Sequence, residues 1–132
     1  MKVNESAENY LESILMIKND KGYVRSVDVA NKLSFTKASV SVAMKSFRES
    51  GFIIVDRDGN IELTDEGLKI AESVYERHRV IATALMAIGV SDDIAYKDAC
   101  MVEHDISEET LLRLKEYLSN KNIEIVKQGA KK

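Results

Sequence analysis

Between Ser26 and Leu63 the chain is punctuated so closely that few folds can accommodate it. Ser26 is a helix-capping residue type ahead of the apolar set Val29, Ala30 and Leu33, which allows only a short helix. Ser34-Phe35 separates it from Thr36, the cap of a second helix that Gly51 stops near Ser50. Two strand-like runs follow at once, Phe52-Ile53-Ile54-Val55 and Ile61-Glu62-Leu63, joined through Asp56-Arg57-Asp58-Gly59-Asn60. The Asp-Gly pair predicts a hairpin with a type I′ turn, in which both central residues take positive φ. A short helix, a tight turn, a second helix and a two-stranded hairpin make the winged variant of the helix-turn-helix.

The flanks read as helix. Ser6 is expected to cap a helix reaching about Lys18, with Tyr10, Leu11, Ile14, Leu15 and Ile17 on its apolar side. Asn19-Asp20-Lys21-Gly22 is a turn, and Tyr23-Val24-Arg25 a short strand. Beyond the wing, Thr64 caps a long helix to about Ile88, Ser91 opens one running through His104, and Ser107 begins a last one ending near Leu118. With no Pro in 132 residues, nothing interrupts these segments. The expected fold is mainly α: an N-terminal winged helix-turn-helix over about residues 1–70, a second, helical unit over 71–120, and a frayed tail over 121–132. The apolar repeat Ile81, Leu85 and Ile88 with Leu111, Leu114 and Leu118 exceeds what a short bundle buries alone, and predicts a homodimer.

Bulk properties narrow the class. Cys100 is the single cysteine, so no internal disulfide forms and a reducing cytoplasm is the natural compartment. No apolar run is long enough to span a membrane, and the first residues do not resemble a signal sequence. A net charge of −3 argues against coating nucleic acid by charge alone, while leaving room for a local basic face.

The helix behind Thr36 supplies such a face. Val40, Met44 and Phe47, at i, i+4 and i+7, form its buried stripe. Half a turn away lie Ala38, Val42, Lys45 and Glu49, with Lys37 and Ser41 beside them. Small side chains near the N-terminal end let the backbone approach the floor of a major groove. Lys45 reaches a guanine edge or a phosphate, Ala38 or Val42 a thymine methyl, and Thr36 and Ser39 donate to a phosphate with free backbone N–H groups. Arg57 at the wing tip is placed for a phosphate or minor-groove contact. Any solvated helix offers a polar face, and Glu49, Asp56 and Asp58 lower the local positive field. The hairpin directly behind the helix is what favours double-stranded DNA as partner.

Cys100, Glu103 and His104 fall at i, i+3 and i+4 of the helix expected after Ser91, on one face. A thiolate, a carboxylate and an imidazole converging there suit a divalent transition metal. The same spacing describes a packed cysteine beside a surface Glu and His, and the local pattern leaves both open. No nucleophile–base arrangement accompanies the cluster, so an enzyme is not expected.

Glu8-Asn9-Tyr10-Leu11-Glu12, Gly51-Phe52, Leu63-Thr64-Asp65-Glu66-Gly67, Arg77-His78-Arg79 and Asp98-Ala99-Cys100-Met101-Val102-Glu103-His104 follow one another in order. Through them the span from about Glu5 to Leu118 resembles the diphtheria toxin repressor family, particularly its short manganese-sensing branch. The resemblance implies a homodimer built from the helices behind the wing, and metal ligands at Asn9, Glu12, His78, Cys100, Glu103 and His104. Where Asn9 stands, the manganese branch usually has Asp and the iron branch Met. Cys100 matches the iron branch, and manganese sensors usually carry Glu there. Ala82 and Tyr96 occupy positions where an ancillary site of the iron branch needs acidic and imidazole partners, so that second site is not expected. Neither is the C-terminal SH3-like domain of longer members.

The expected function is a cytoplasmic, metal-dependent DNA-binding repressor that senses iron(II) or manganese(II) and controls metal-uptake genes, with cobalt(II) or zinc(II) as substitutes in vitro. Two rivals stand beside it. One is a winged-helix regulator that no longer responds to metal, which the neutral Asn9 favours. The other is a small metalloprotein without DNA binding.

Overall fold

In the computed structural model, which describes residues 3–127, the first helix, α1 (Glu5–Lys21), starts ahead of the position expected from Ser6. Asn4 is the cap instead: its Oδ1 accepts the Ala7 N–H at 2.9 Å, and Gly22, at φ 87°, ends the helix in the left-handed region that glycine tolerates. The second helix, α2 (Ser26–Leu33), takes Ser26 as its first residue, not its cap. Asp28 fixes that end, accepting the Arg25 N–H at 2.9 Å and the Lys21 ammonium at 2.7 Å.

Tyr23-Val24-Arg25 is not a strand. The Ile61 N–H does donate to the Val24 carbonyl at 2.7 Å, but the Val24 N–H is taken by the Asn60 side chain at 3.1 Å. A side-chain acceptor thus replaces the main-chain partner a ladder requires.

Helix α3 (Lys37–Glu49) is capped by Thr36, whose Oγ1 accepts the Ser39 N–H at 3.1 Å, and it buries Val40, Met44 and Phe47. The wing follows as β1 (Ile53–Val55) and β2 (Ile61–Leu63), antiparallel, with Ile53 opposite Leu63 and Ile54 opposite Glu62. Its turn differs from the type I′ expectation. Gly59 alone in that turn has positive φ (85°). The Gly59 N–H closes on the Asp56 carbonyl at 3.1 Å, and Asp56 Oδ1 accepts from both Asp58 N and Asn60 N at 2.9 Å. The Asp56 side chain therefore organises a longer turn, and Asp58 escapes the left-handed conformation.

The chain divides into two compact units, Met1–Glu72 and Ser73–Lys132, with the boundary inside helix α4 (Asp65–Ala87). In the N-terminal unit Leu11, Ile14, Val24, Val29, Val40, Phe47, Ile53 and Ile61 are buried, and Tyr10 meets Phe35 and Phe47 edge-on. Thr64 joins the wing to α4: its Oγ1 accepts the Gly67 N–H at 3.2 Å and donates to the Gly51 carbonyl at 2.7 Å.

In the C-terminal unit, α5 (Asp92–Val102) and α6 (Glu108–Asn120) join the end of α4. Val80, Leu111 and Leu118 make one cluster, Ile81, Ala82 and Ala99 another, with Leu85 and Leu114 packed at their edges. The apolar repeat expected to need a second subunit is thus largely covered within the chain; of its members only Ile88 is exposed. The segment expected to fray is in part packed too. Ile123 and Ile125 rest on the Val80 cluster, and the Val126 N–H donates to Thr83 Oγ1 at 3.0 Å. Residues 128–132 of that segment lie outside the described residues.

Candidate metal centre

The candidate ligands after the wing reach one another from two segments. His78 lies on the buried side of α4, and its Nδ1 is 2.9 Å from Glu103 Oε2 and 3.7 Å from Cys100 Sγ. Donor atoms of His78, Cys100 and Glu103 lie within 4.8 Å of one another, one metal-competent group of this kind among the described residues. His104 approaches from the other side, its Nε2 3.5 Å from Glu103 Oε1. The carboxylate of Glu103, 1% exposed, is therefore flanked at each oxygen by an imidazole. A buried carboxylate demands positive charge or donors close by, and here an imidazole stands against each of its oxygens.

The donor set fits a divalent transition metal. Two donors bound to one such ion at about 2.0 and 2.3 Å stand roughly 3.5 Å apart at the tetrahedral angle. The His78–Cys100 separation is close to this. Thiol, imidazole and carboxylate together suit iron, cobalt or zinc, and tolerate manganese.

The cluster arises differently from the way its spacing predicts. Helix α5 ends at Val102, with Glu103 as its cap, so His104 is not on the helix but in the turn behind it. Asn9 and Glu12 share one side of α1 in the N-terminal unit, Asn9 half-buried and Glu12 buried. Of the two positions expected to lack an ancillary site, Ala82 is fully buried in the Ile81 cluster, and Tyr96 stacks on the His78 ring with centroids 5.9 Å apart. Tyr96 thereby helps to hold the imidazole plane.

Sequence reasoning missed Arg77. Its Nη1 donates to the carbonyls of Glu103 and Ile106 at 3.2 Å each, and its Nη2 to the Glu108 carboxylate. Its place beside His78 was the one available signal, since its partners lie 26 to 31 residues away.

On the N-terminal unit, Thr36, Lys37, Ala38, Ser39, Ser41, Val42 and Lys45 are all exposed, as is Arg57 at the wing tip. Val42 is 72% exposed, far more than a valine with a packing role would be. Arg25 was also overlooked: its guanidinium lies 3.8 Å from where a Cβ on Gly59 would stand, adding a cation beside the wing turn.

Comparison with known proteins agrees with both halves. Residues 2–61 match the family model described as iron dependent repressor, N-terminal DNA binding domain, and residues 64–123 match iron dependent repressor, metal binding and dimerisation domain. The HTH-type transcriptional regulator MntR of Shouchella clausii is 34% identical over 83% of this chain and 76% of its own length. The transcriptional regulator MntR of Salmonella typhimurium is 36% identical over 81% and 68%. These relatives are transcriptional regulators, not enzymes. In fold, the chain superposes over its full length on the crystal structure of IdeR from T. acidophilum with a TM-score of 0.78 at 24% identity, spanning 64% of that chain. Two domain models in the right order, and relatives matched over most of their length, lead to one conclusion: the chain belongs to the iron-dependent repressor family, that of the diphtheria toxin repressor.

Proposed function

We propose that this chain is a metal-dependent transcriptional repressor that binds operator DNA as a homodimer and controls metal-uptake genes in response to iron(II) or manganese(II). The observation that carries the reading is the buried Glu103 carboxylate set between His78 and His104 with Cys100 alongside, inside the region that matches a metal-binding and dimerisation domain. His78, Cys100, Glu103 and His104 would hold the ion, and the family resemblance adds Asn9 and Glu12 to the set. A bound divalent cation would supply the positive charge that lets the buried Glu103 carboxylate stand beside the exposed Cys100 thiolate.

The remaining roles belong to the chain's own residues. Lys45, Ala38, Ser41 and Val42 on the exposed face of α3 read base edges, while Thr36, Lys37, Ser39 and Arg57 hold the backbone. DNA binding falls to about residues 1–70 and dimerisation and metal binding to about 71–120. Ile88, Ile94, Met101 and Val102 are exposed on α5 and around its start, and form the apolar surface offered to the second subunit. No described helix is long and apolar enough to cross a membrane, in keeping with action in the cytoplasm. Coupling between metal and DNA of the usual size, about 1–3 kcal/mol, changes operator affinity 5- to 150-fold.

A gel-shift with operator DNA tests this directly. Addition of iron(II), cobalt(II) or manganese(II) should produce a shift that a chelator reverses. A shift indifferent to metal refutes the sensing role, and no shift under any condition refutes DNA binding.

A further inference from the structure

His78 and Glu103 come from different segments, so the separation of their donor atoms depends on how the turn behind α5 is held. That turn begins at the cap residue Glu103, carries His104, and leads to Ser107, the cap of α6. A helix end leaves carbonyls without intrahelical donors, and a cation there is favoured. Arg77 serves this end. Its guanidinium donates at 3.2 Å to the Glu103 carbonyl at the start of the turn and to the Ile106 carbonyl near its close, then to the carboxylate of Glu108, the first residue of α6. The side chain is only 17% exposed, and its backbone neighbour is His78.

We infer that Arg77 is a positioning residue of the metal centre: one planar fork ties the turn bearing Glu103 and His104 to the turn of helix bearing His78, and so fixes the spacing of the donors. The inference rests on the metal-binding reading above. Lysine is no substitute, because a compact ammonium cannot present parallel N–H groups to two carbonyls and a carboxylate.

The test uses the full chain and cobalt(II). Arg77→Met and Arg77→Lys are compared with wild type and with Lys115→Met. Lys115→Met removes the Lys115–Glu76 bridge (3.1 Å), which links α4 to α6 without touching the turn. Groups that orient metal ligands typically change metal affinity 10–100-fold when replaced. Both Arg77 variants should therefore bind cobalt about 10–100-fold more weakly, with an altered absorption spectrum, and Lys115→Met should behave as wild type. Amide hydrogen exchange in the metal-free protein gives an independent reading: residues 103–107 should exchange faster in Arg77→Met. Unchanged affinity and spectrum in the Arg77 variants overturn the inference, as does an equal loss in Lys115→Met. If Arg77→Met lacks native helix content, Arg77→Lys decides by the same criteria. A wild-type chain that binds no cobalt overturns the metal reading itself, a result distinct from the loss of Arg77's role alone.

Discussion

Replacing Gly67 by alanine introduces one methyl group, and the structure allows its cost to be worked out. Gly67 is in the first turn of α4 with ordinary helical backbone, so the substitution carries no conformational penalty, and helix propensity alone would favour alanine by up to about 1 kcal/mol. Against this, the new Cβ would stand 2.1 Å from the Phe52 carbonyl oxygen, 3.0 Å from its carbon and 3.3 Å from Leu63 Cδ2. That carbonyl cannot swing aside freely. It accepts the Thr64 N–H at 3.0 Å, while the Phe52 N–H is held by Phe47 at 2.9 Å. Relief requires α4 to back away from the base of the wing, stretching the Thr64 links. Overpacking of this kind costs about 1–3 kcal/mol, a weakened backbone hydrogen bond about 1 more, and the propensity gain offsets part. The net loss should be about 1–3 kcal/mol, which for a chain of this length lowers the melting temperature by roughly 3–12 °C. Calorimetry or urea unfolding of Gly67→Ala against wild type measures it. A variant as stable as wild type, or more so, would refute the claim that this approach is rigid.

Lys45→Ala should weaken operator binding by about 1–3 kcal/mol if the ammonium contacts a base, whereas Arg57→Ala should weaken all sequences alike and reduce the salt slope by about one; fluorescence anisotropy across a salt series separates the two. The Asp28 carboxyl is held below its ordinary range, chiefly by the Lys21 hydrogen bond, so the stabilisation it contributes is present above the ordinary carboxylate value and lost as pH falls through the lowered one. Asp28→Asn should therefore melt lower than wild type at neutral pH, with the difference closing in acid. Cys100→Glu should move metal preference from iron(II) and cobalt(II) towards manganese(II), and Cys100→Ser should remove the thiolate charge-transfer band of the cobalt form; identical spectra and metal ranking in wild type and Cys100→Ser would refute ligation by the thiol.

The helix-turn-helix and wing were legible because their signals are local. As helix caps and stops, Thr36, Gly51, Thr64 and Gly89 need only residues close by in the chain, and the stripe Val40, Met44, Phe47 needs only helical periodicity. The failures were all non-local or depended on side-chain competition. Nothing near Val24 announces that Asn60 will take its N–H, and nothing in Asp58-Gly59 shows that Asp56 will organise the turn. Periodicity identified Ile81, Leu111 and Leu118 as buried, but it does not distinguish burial within a chain from burial against a second copy. The Cys100-Glu103-His104 cluster was found by assuming a helix through His104. The residues do gather, yet His104 arrives through a turn whose carbonyls accept from Arg77.

The quoted family stretches gain a physical meaning from these contacts. Leu63-Thr64-Asp65-Glu66-Gly67 is a joint: threonine bonds both ways across it, and glycine alone lets the helix approach the Phe52 carbonyl. In Arg77-His78, an arginine that donates to the Glu103 carbonyl stands next to the imidazole that meets the Glu103 carboxylate. Glu103 is a costly residue to bury, since an apolar side chain in that position would pack without any need for neutralisation. The unit instead surrounds a carboxylate with two imidazoles and a thiol. On the metal-binding proposal, a single cation would neutralise that carboxylate and engage the thiol and imidazoles together.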